Sequence, residues 1–262
     1  MGSAKLEARG LGKRFKTHGQ VVDALAGVDL ALGDREFVSV IGPSGCGKST
    51  LFNIFAGLET PTAGDVLLDG RPTVGSDLLG RVGYMPQQDL LMPWRTILDN
   101  TILGLEVGGV SKREARARAL DLFPLFGLSG FEKRYPDDLS GGMRQRAALL
   151  RTFLAGREVI LLDEPFGALD SLTRAGMQQW LLRIWEEHRK TILFVTHDVD
   201  EALYLSDRVY AMSKRPGRVT QILDVAIPRP RAYDVITSEP FIEMKQVLLA
   251  QLRLAHGSGK AA

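Results

Sequence analysis

The sequence has 262 residues, of which 45% are hydrophobic, and its formal net charge is +2. A chain of this size and composition can bury a large core, so we expect a soluble globular protein. The near-neutral charge argues against general, charge-driven binding of nucleic acid. No apolar run reaches the roughly 18–20 residues that a helix needs to cross a bilayer. A single cysteine, Cys46, excludes an intrachain disulfide and suits a reducing compartment.

Apolar runs and helical patterns alternate along the chain. The runs that predict buried parallel strands are 37–41, 159–162, 192–195 and 208–212. Helical patterns at 48–56 and 172–187 lie between them. This alternation predicts an α/β, doubly wound fold whose parallel strands deliver chemistry at their carboxyl ends. Weaker alternation up to residue 34 and over 65–68 predicts a separate antiparallel sheet.

Residues 88–154 have helical periodicity and no strand-like run, which predicts an inserted α-helical subdomain. Ser111 followed by Glu114 predicts a capping box, and Pro124 should interrupt the helix that begins there. The apolar face expected for this helix is Ala115, Ala119, Leu122, Phe123 and Phe126. Beyond residue 227, the run PRPR ends regular structure, and a helical pattern at 241–254 predicts a C-terminal extension, residues 228–262, with one helix.

The first glycine-rich loop carries a strong nucleotide signal. Gly42, Gly47, Lys48 and Ser49 fit the pattern G-x-x-x-x-G-K-[ST], between a predicted strand and a predicted helix. The glycines let backbone N–H groups approach phosphate, Lys48 reaches the β and γ phosphates, and the Ser49 hydroxyl can ligate Mg²⁺. The alternative is a plain glycine-rich turn before a helix, and the strand-loop-helix context disfavours it. We expect ATP and Mg²⁺ as ligands.

Polar residues follow the other predicted strands. Asp163 and Glu164 end one of them, and we expect Asp163 to hold the magnesium shell while Glu164 polarises the attacking water. His197 ends the next and is a candidate for contacting the γ-phosphate. Gln87 follows the short apolar pair Val82 and Tyr84. Alone, an acid pair is more often a solvated turn and a lone histidine more often structural; the phosphate loop favours the functional reading.

A second glycine-rich loop, LSGGMRQR at 139–146, is surplus to the needs of one nucleotide. A serine and two glycines before a helix present free backbone N–H groups and a positive helix end to an anion. The economical interpretation is that two chains pack head to tail, so that this loop of each chain covers the nucleotide of the other.

In order and spacing, these motifs resemble the ATP-binding subunit of an ABC transporter over essentially the whole chain. GPSGCGKST resembles the Walker A motif, Gln87 the Q-loop and LSGGMRQR the signature. VILLDE resembles Walker B, ALD at 168–170 the D-loop, and His197 the switch histidine.

The resemblance implies a RecA-like P-loop NTPase core with an antiparallel β subdomain and the helical insertion, over residues 1–227. Phe15 stands where the family has an aromatic, often tyrosine, that stacks on adenine. The implied nucleotide contacts are Phe15, Gly42, Pro43, Ser44, Gly45, Cys46, Gly47, Lys48, Ser49 and Thr50, with Ser140, Gly141, Gly142 and Gln145 from a second copy, and Asp170. The implied catalytic residues are Glu164, His197 and Gln87, and the implied magnesium ligands are Ser49, Gln87 and Asp163.

A finer resemblance concerns LLMPWRTILDN at 90–100, SKRPGRV at 213–219 and the IPRPR that follows. They resemble the importer branch for nitrate, sulfonates, taurine and related solutes. This implies a homodimeric ATPase, peripheral on the cytoplasmic face of the cell membrane, that drives separate transmembrane permease subunits and, indirectly, a solute-binding protein outside. As local structure, Pro93-Trp94-Arg95 is also a turn with a packed tryptophan, and RPGR a solvated turn.

Other functions stay open at this point. They are an ABC exporter ATPase, an importer for another solute such as a thiamine pyrimidine precursor, an ABC ATPase acting on DNA or ribosomes, and a metabolic P-loop kinase. A kinase has no use for LSGGMRQR, and the DNA and ribosome classes usually carry a long coiled coil or a second cassette.

Overall fold

Two β-sheets and eight α-helices make up the described part of the chain. The computed structural model describes residues 4–17, 20–73, 75–167 and 169–257, so Ala168 of the predicted D-loop and the last residues of the extension lie outside it. The strands are β1 (Leu6–Thr17), β2 (Gln20–Leu32), β3 (Phe37–Ile41), β4 (Ala63–Leu68), β5 (Arg71–Thr73), β6 (Gly83–Met85), β7 (Val159–Asp163), β8 (Thr191–Thr196), β9 (Arg208–Met212) and β10 (Val219–Asp224). The helices are α1 (Lys48–Phe55), α2 (Ile97–Thr101), α3 (Leu103–Val107), α4 (Lys112–Leu122), α5 (Gly141–Leu154), α6 (Ser171–His188), α7 (Val199–Leu205) and α8 (Glu239–Gly257).

The central sheet has six strands in the order β10-β9-β3-β8-β7-β6. All neighbours are parallel except β10, which pairs with β9 antiparallel. Every residue of β3, β7 and β8 is buried, as expected for parallel strands covered on both faces. The predicted α/β fold and its four parallel strands are confirmed. Because β3, β7 and β8 run in one direction, the loops that follow them meet at one edge of the sheet.

Alternate residues of each central strand pack on opposite faces. Val38 and Val40 join α1 and the antiparallel sheet in one buried cluster. Phe37, Ile41 and Phe194 face the other way and join the helices between β6 and β7, together with α6, α7 and α8. Each fully buried side chain of this size contributes about 1.5–3 kcal/mol relative to exposure, so the sheet is fixed from both sides.

A four-stranded antiparallel sheet, in the order β2-β1-β4-β5, forms the second layer. Its β1 and β2 pair from Leu6 opposite Leu32 to Thr17 opposite Gln20. The predicted antiparallel sheet is therefore confirmed. It lies over α1, and the end of β1 nearest Thr17 approaches the loop that follows β3.

Helices α2 to α5 fill the interval between β6 and β7. Ser111 caps α4 by accepting a hydrogen bond from the backbone N–H of Glu114 at 3.3 Å. The predicted capping box is only half formed, because the Glu114 carboxylate accepts from Arg118 one turn along instead of returning to the cap. The helix ends two residues before Pro124, as predicted.

The C-terminal segment is attached to α7. Arg231, 6% exposed, donates to the backbone carbonyls of Leu203 (3.0 Å), Tyr204 (3.0 Å) and Ser206 (2.7 Å) at the end of that helix. Burial lowers the pKa of the Arg231 guanidinium to about 10, so it stays protonated at neutral pH. In α8, Phe241 is fully buried against the core. None of the helices within the described ranges is long and apolar enough to traverse a bilayer.

Candidate nucleotide site

A cleft of about 420 Å³ opens at the carboxyl edge of the central sheet. It begins at β1 and β2, passes over the loop after β3 and ends at the residue after β7. The residues that line it are Phe15, Val22, Ala24, Ser44, Gly45, Gly47, Lys48, Ser49, Thr50, Gln87, Glu164 and Arg215. Most of the residues predicted for a nucleotide in one chain are thus brought together.

The loop between β3 and α1 is shaped to receive phosphate. Gly47 precedes α1 with φ of 110°, and no side chain caps the helix, so its first N–H groups are open to an anion. A Cβ at Gly47 would lie 2.7 Å from Leu25 Cδ2, so only glycine fits. Lys48 Nζ donates to the carbonyls of Gly42 at 2.9 Å and Pro43 at 3.2 Å, which folds the loop around the ammonium group.

Members of this loop differ in how they can contact a ligand. Ser44, Gly45 and Ser49 are exposed to the cleft, whereas Cys46 is buried beneath the loop at 1% exposure. Burial raises the pKa of the Cys46 thiol, so it stays protonated and offers a ligand only its backbone N–H.

Glu164 is held between the two polar residues predicted to accompany it. Its φ of 45° is unusual for a side-chain-bearing residue and directs the carboxylate into the cleft. Gln87 Nε2 donates to Glu164 Oε2 at 3.1 Å, and His197 Nδ1 lies 3.5 Å from the same oxygen. Three residues from distant parts of the sequence therefore meet at the end of the phosphate loop, where a terminal phosphate would lie.

Asp163 provides a buried carboxylate beside α1. It is 5% exposed, and burial raises the pKa of its carboxyl, while a hydrogen bond from Ser49 and the charge of Lys48 oppose that rise. A carboxylate and a hydroxyl in contact, next to a phosphate loop, are the oxygen donors with which proteins hold Mg²⁺ together with substrate phosphates. The donor chemistry of Asp163 and Ser49 fits that cation.

Phe15 lies at the mouth of the cleft beside Val22 and Ala24. It is half-buried, and the Lys13 ammonium group lies 4.8 Å from its ring centroid. This is an apolar end to a cleft whose other end is polar, as a base and a phosphate chain require.

The second glycine-rich loop does not reach this cleft. Ser140 is exposed and caps α5 by accepting from the N–H of Met143 at 3.3 Å. A Cβ on Gly142 would lie 3.0 Å from Thr173 Cγ2, so the loop rests on the start of α6 in its own chain. Asp170 caps α6 by accepting from Thr173 N at 3.0 Å, and its side chain is exposed.

Gln145 is buried, unlike Ser140 at the start of the same motif. It is 5% exposed, and it borders a second cleft with Gln87, Gln88 and Gly167. Its Oε1 is buried and has no hydrogen-bond partner within the described part of the chain. Ser140 is the exposed residue at the start of this motif, Gly141 is half-buried, and the contact predicted for Gln145 with a second copy's nucleotide stays a prediction.

Sequence reasoning missed Val22, Ala24 and Arg215 as lining residues. Arg215 belongs to the run SKRPGRV, which the sequence connects with the importer branch and with a solvated turn, but not with the nucleotide. The sequence shows Arg215 as a basic residue just after the predicted strand 208–212. It does not show that this strand lies next to the strand that precedes the phosphate loop.

A parallel sheet with this phosphate loop at its carboxyl edge defines a P-loop nucleotide-binding protein. Comparison with known proteins narrows the class. Residues 25–167 match the ABC transporter family. The chain is 42% identical over 252 residues to the taurine import ATP-binding protein TauB of Rhizobium johnstonii, which covers 94% of this chain and 95% of that protein. It is 44% identical over 220 residues to the formylaminopyrimidine import ATP-binding protein ThiZ of Halalkalibacterium halodurans, 84% of each.

A solved structure of an ATP-binding cassette also matches this chain. The dimeric post-hydrolysis structure of the ATP-binding cassette MJ0796 with ADP and Pi matches with a TM-score of 0.75 and 33% identity, covering 85% of this chain and 100% of that one. The chain therefore belongs to the ABC transporter family and is one of its ATPase subunits. The predicted resemblance to the sulfonate and taurine type of ATP-binding subunit is confirmed.

Proposed function

We propose that two copies of this chain form an ATP sandwich whose closure and hydrolysis drive solute uptake through separate membrane subunits. The observation that carries the proposal is the signature loop, whose Ser140 is exposed and whose Gly141 is half-buried; it rests on its own α6, and neither residue lines the cleft of its own chain. A loop built for an anion, but remote from the nucleotide of its own chain, is explained by a nucleotide on a second chain. The dimeric state of the cassette MJ0796 supports the same arrangement.

Within each site, different residues of the chain contact the phosphates, the magnesium ion and the base. Lys48 and the open N–H groups of α1 bind the phosphate chain. Ser49 and Asp163 would hold Mg²⁺, with Gln87 as a further ligand, and the cation, when bound, neutralises charge on the phosphate oxygens. Phe15 offers its ring to the base.

Hydrolysis is assigned to Glu164. Its carboxylate accepts a proton from the attacking water as the water oxygen bonds to the γ-phosphorus, and the bond from that phosphorus to the bridging oxygen of ADP breaks. Gln87 and His197 hold the carboxylate in place before the reaction, at 3.1 and 3.5 Å. In this proposal His197 then senses the γ-phosphate, and Asp170 of the D-loop would face the partner's nucleotide.

The segment after Gln87 connects this chemistry to the helical insertion. Arg151 of α5 donates to the carbonyls of Asp89 at 2.6 Å and Leu90 at 2.8 Å. The helix that begins at the signature loop is therefore bonded to the residues that follow Gln87. This link supports transmission from the nucleotide to permease subunits that would dock beside the insertion and keep the chain peripheral on the cytoplasmic face of the membrane.

For the solute, the relative named for taurine import supports a small sulfonate such as taurine, delivered by an extracellular or periplasmic solute-binding protein. The sequence resemblance carried by residues 90–100 and 213–219 adds nitrate to the candidates. The relative named for formylaminopyrimidine favours a second candidate, a thiamine pyrimidine precursor. Contacts with the solute would belong to other subunits, so the two are separated by transport and not by this site.

The test is uptake of labelled taurine, an alkanesulfonate, nitrate and formylaminopyrimidine in cells lacking the chain, complemented with wild type or with Glu164→Gln. We expect one solute class to enter only with the wild-type chain. Uptake of all four at wild-type rates without the chain would contradict import of these solutes. Increased retention of a solute in the deleted cells would instead identify an exporter.

A further inference from the structure

The loop between β9 and β10, residues 213–218, packs directly against β2 and the phosphate loop. Gly217 N donates to Ala24 O at 2.9 Å, and Ala26 N donates to Gly217 O at 3.0 Å. A Cβ at Gly217 would lie 2.2 Å from the carbonyl oxygen of Cys46, so the backbones touch. The position of this loop is therefore fixed relative to the phosphate loop and not to solvent.

Within that loop, Arg215 is directed over the phosphate loop. Its Nε donates to Gly45 O at 3.2 Å, and its Nη2 lies 3.3 Å from the point where a Cβ on Gly45 would be. The side chain is exposed and lines the cleft. An arginine has five N–H groups, and those other than Nε–H have no acceptor among the residues that the structure describes.

Charge makes this position informative. Among the described residues that line the cleft, the cations are Lys48 and Arg215, and the acid is Glu164. Lys48 is buried in its loop, whereas the Arg215 side chain is exposed beside Ser44 and Gly45, and within the described residues only its Nε–H is engaged. A planar guanidinium with unused donors, held beside a phosphate-binding backbone, suits a phosphate oxygen.

We propose that Arg215 is a second cationic contact to the phosphate chain of the bound nucleotide, supplied by a loop outside the recognised motifs. The proposal rests on the nucleotide site described above and adds a residue to it. It replaces the interpretation of RPGR as a solvated turn, because the turn is pinned by Gly217 and carries its arginine into the cleft.

The experiment measures dissociation constants of the isolated wild-type chain and its variants for ATP, ADP and inorganic triphosphate. For Arg215→Ala we expect about a 10-fold loss of ATP affinity, the size of one charge-assisted contact at about 1.4 kcal/mol. Inorganic triphosphate should lose affinity by the same factor, and ADP by less. Arg215→Lys, which keeps the charge, should retain part of the affinity, and salt should weaken ATP binding less steeply in Arg215→Ala than in wild type.

Arg218→Ala is the matched control, because Arg218 is an exposed arginine of the same loop that lies beside Gly27 and lines no part of the cleft. It should bind all three ligands as wild type does. Thermal unfolding of Arg215→Ala should stay close to wild type, since the removed side chain is exposed and makes one hydrogen bond within the described residues.

Wild-type ATP affinity in Arg215→Ala would overturn the proposal. A loss for ATP with unchanged affinity for inorganic triphosphate would also overturn it, because the contact would then be to the adenosine part. Lys48→Ala separates this failure from a wrong site: if Lys48→Ala also binds ATP normally, the nucleotide site itself is misassigned. If Lys48→Ala loses affinity and Arg215→Ala does not, only the role of Arg215 fails.

Discussion

The phosphate loop before α1 and the signature loop before α5 look alike in sequence but are completed differently. At α1, the cap is Gly47, in a left-handed conformation without a side-chain hydrogen bond, and a buried lysine follows. At α5, the cap is Ser140, in an extended conformation, whose hydroxyl already satisfies the N–H of Met143. The cation nearest to it in sequence, Arg144, is engaged by Asp89 at 3.3 Å and Leu139 O at 2.7 Å.

This difference teaches which half of the site can bind nucleotide alone. The phosphate loop has free donors, a cation and a cleft, so it should hold ATP in a single chain. In the signature loop the Ser140 hydroxyl already holds one backbone N–H, and neither Ser140 nor Gly141 lines the phosphate-loop cleft; in the proposed sandwich this loop adds to a site that the partner's nucleotide already occupies. Under the proposed function, we therefore expect binding to be a property of one chain and hydrolysis a property of two.

The largest expected effect comes from Glu164→Gln, which removes the proton acceptor and keeps the shape of the side chain. We expect ATP hydrolysis to fall by about 10²–10⁴-fold, the usual contribution of a general base, while ATP binding persists. Without hydrolysis the closed pair should accumulate, which size-exclusion chromatography with ATP would detect. Glu187→Gln, the same change on an exposed residue of α6, is the control. Wild-type hydrolysis by a monomeric Glu164→Gln chain would show the catalytic assignment to be wrong.

Ser140→Arg tests whether the signature loop acts in trans. A bulky side chain on this exposed cap should prevent closure on the partner's nucleotide and lower hydrolysis by about 10²–10³-fold, comparable to losing a transition-state donor. ATP affinity of the isolated chain should not change. Ser111→Arg is matched to it, because Ser111 also caps an exposed helix end with a hydrogen bond of 3.3 Å, far from the cleft. Loss of ATP affinity in the Ser140 variant would place that loop in its own chain's site.

Lys48→Ala tests the phosphate loop, the other of the two loops compared above. The ammonium group folds the loop, and Lys48 lines the cleft, so we expect ATP affinity of the single chain to fall by about 10–100-fold, as for loss of hydrogen bonds to a charged group. Calorimetric titration with ATP measures this directly, with the exposed Lys133→Ala as control. Unchanged affinity would count against the phosphate-loop assignment and erase the distinction between the two loops.

Asp163→Asn should have the smallest effect of the four substitutions, and it should stabilise the folded chain. Because burial raises the pKa of the Asp163 carboxyl in the folded chain, its ionised form destabilises the fold. That cost is present in full above the raised pKa and disappears as the pH falls to the ordinary value of 3.8. We expect the variant to unfold about 2–4 °C higher than wild type near neutral pH, with the gain shrinking in acid, and to bind ATP with less help from Mg²⁺.

Differential scanning calorimetry across this pH range is the measurement, and Asp121→Asn, exposed on α4, is the control. A gain that does not depend on pH would mean that burial of the charge is not its cause.

Much of the local structure was predictable. The strands β3, β7, β8 and β9 and the phosphate loop follow from short apolar runs and a glycine pattern, both of which act within about ten residues. The capping box at Ser111 was half wrong, because a competing ion pair one turn away captured Glu114. The burial of Gln145 could not be read from the sequence either, since one residue of helix rotation decides whether a side chain faces the core or the solvent.

By itself, the sequence determined the chemistry available to this protein: the phosphate loop, the acids after β7 and the surplus signature loop, each written within a few neighbouring residues. Only the tertiary structure decided which of them meet. It brought Gln87 and His197 to Glu164, kept Ser140 away from its own cleft, and set β9 beside β3 so that Arg215 lies over Gly45. These meetings depend on strand order and long-range packing, which hydrophobic periodicity along one chain does not specify.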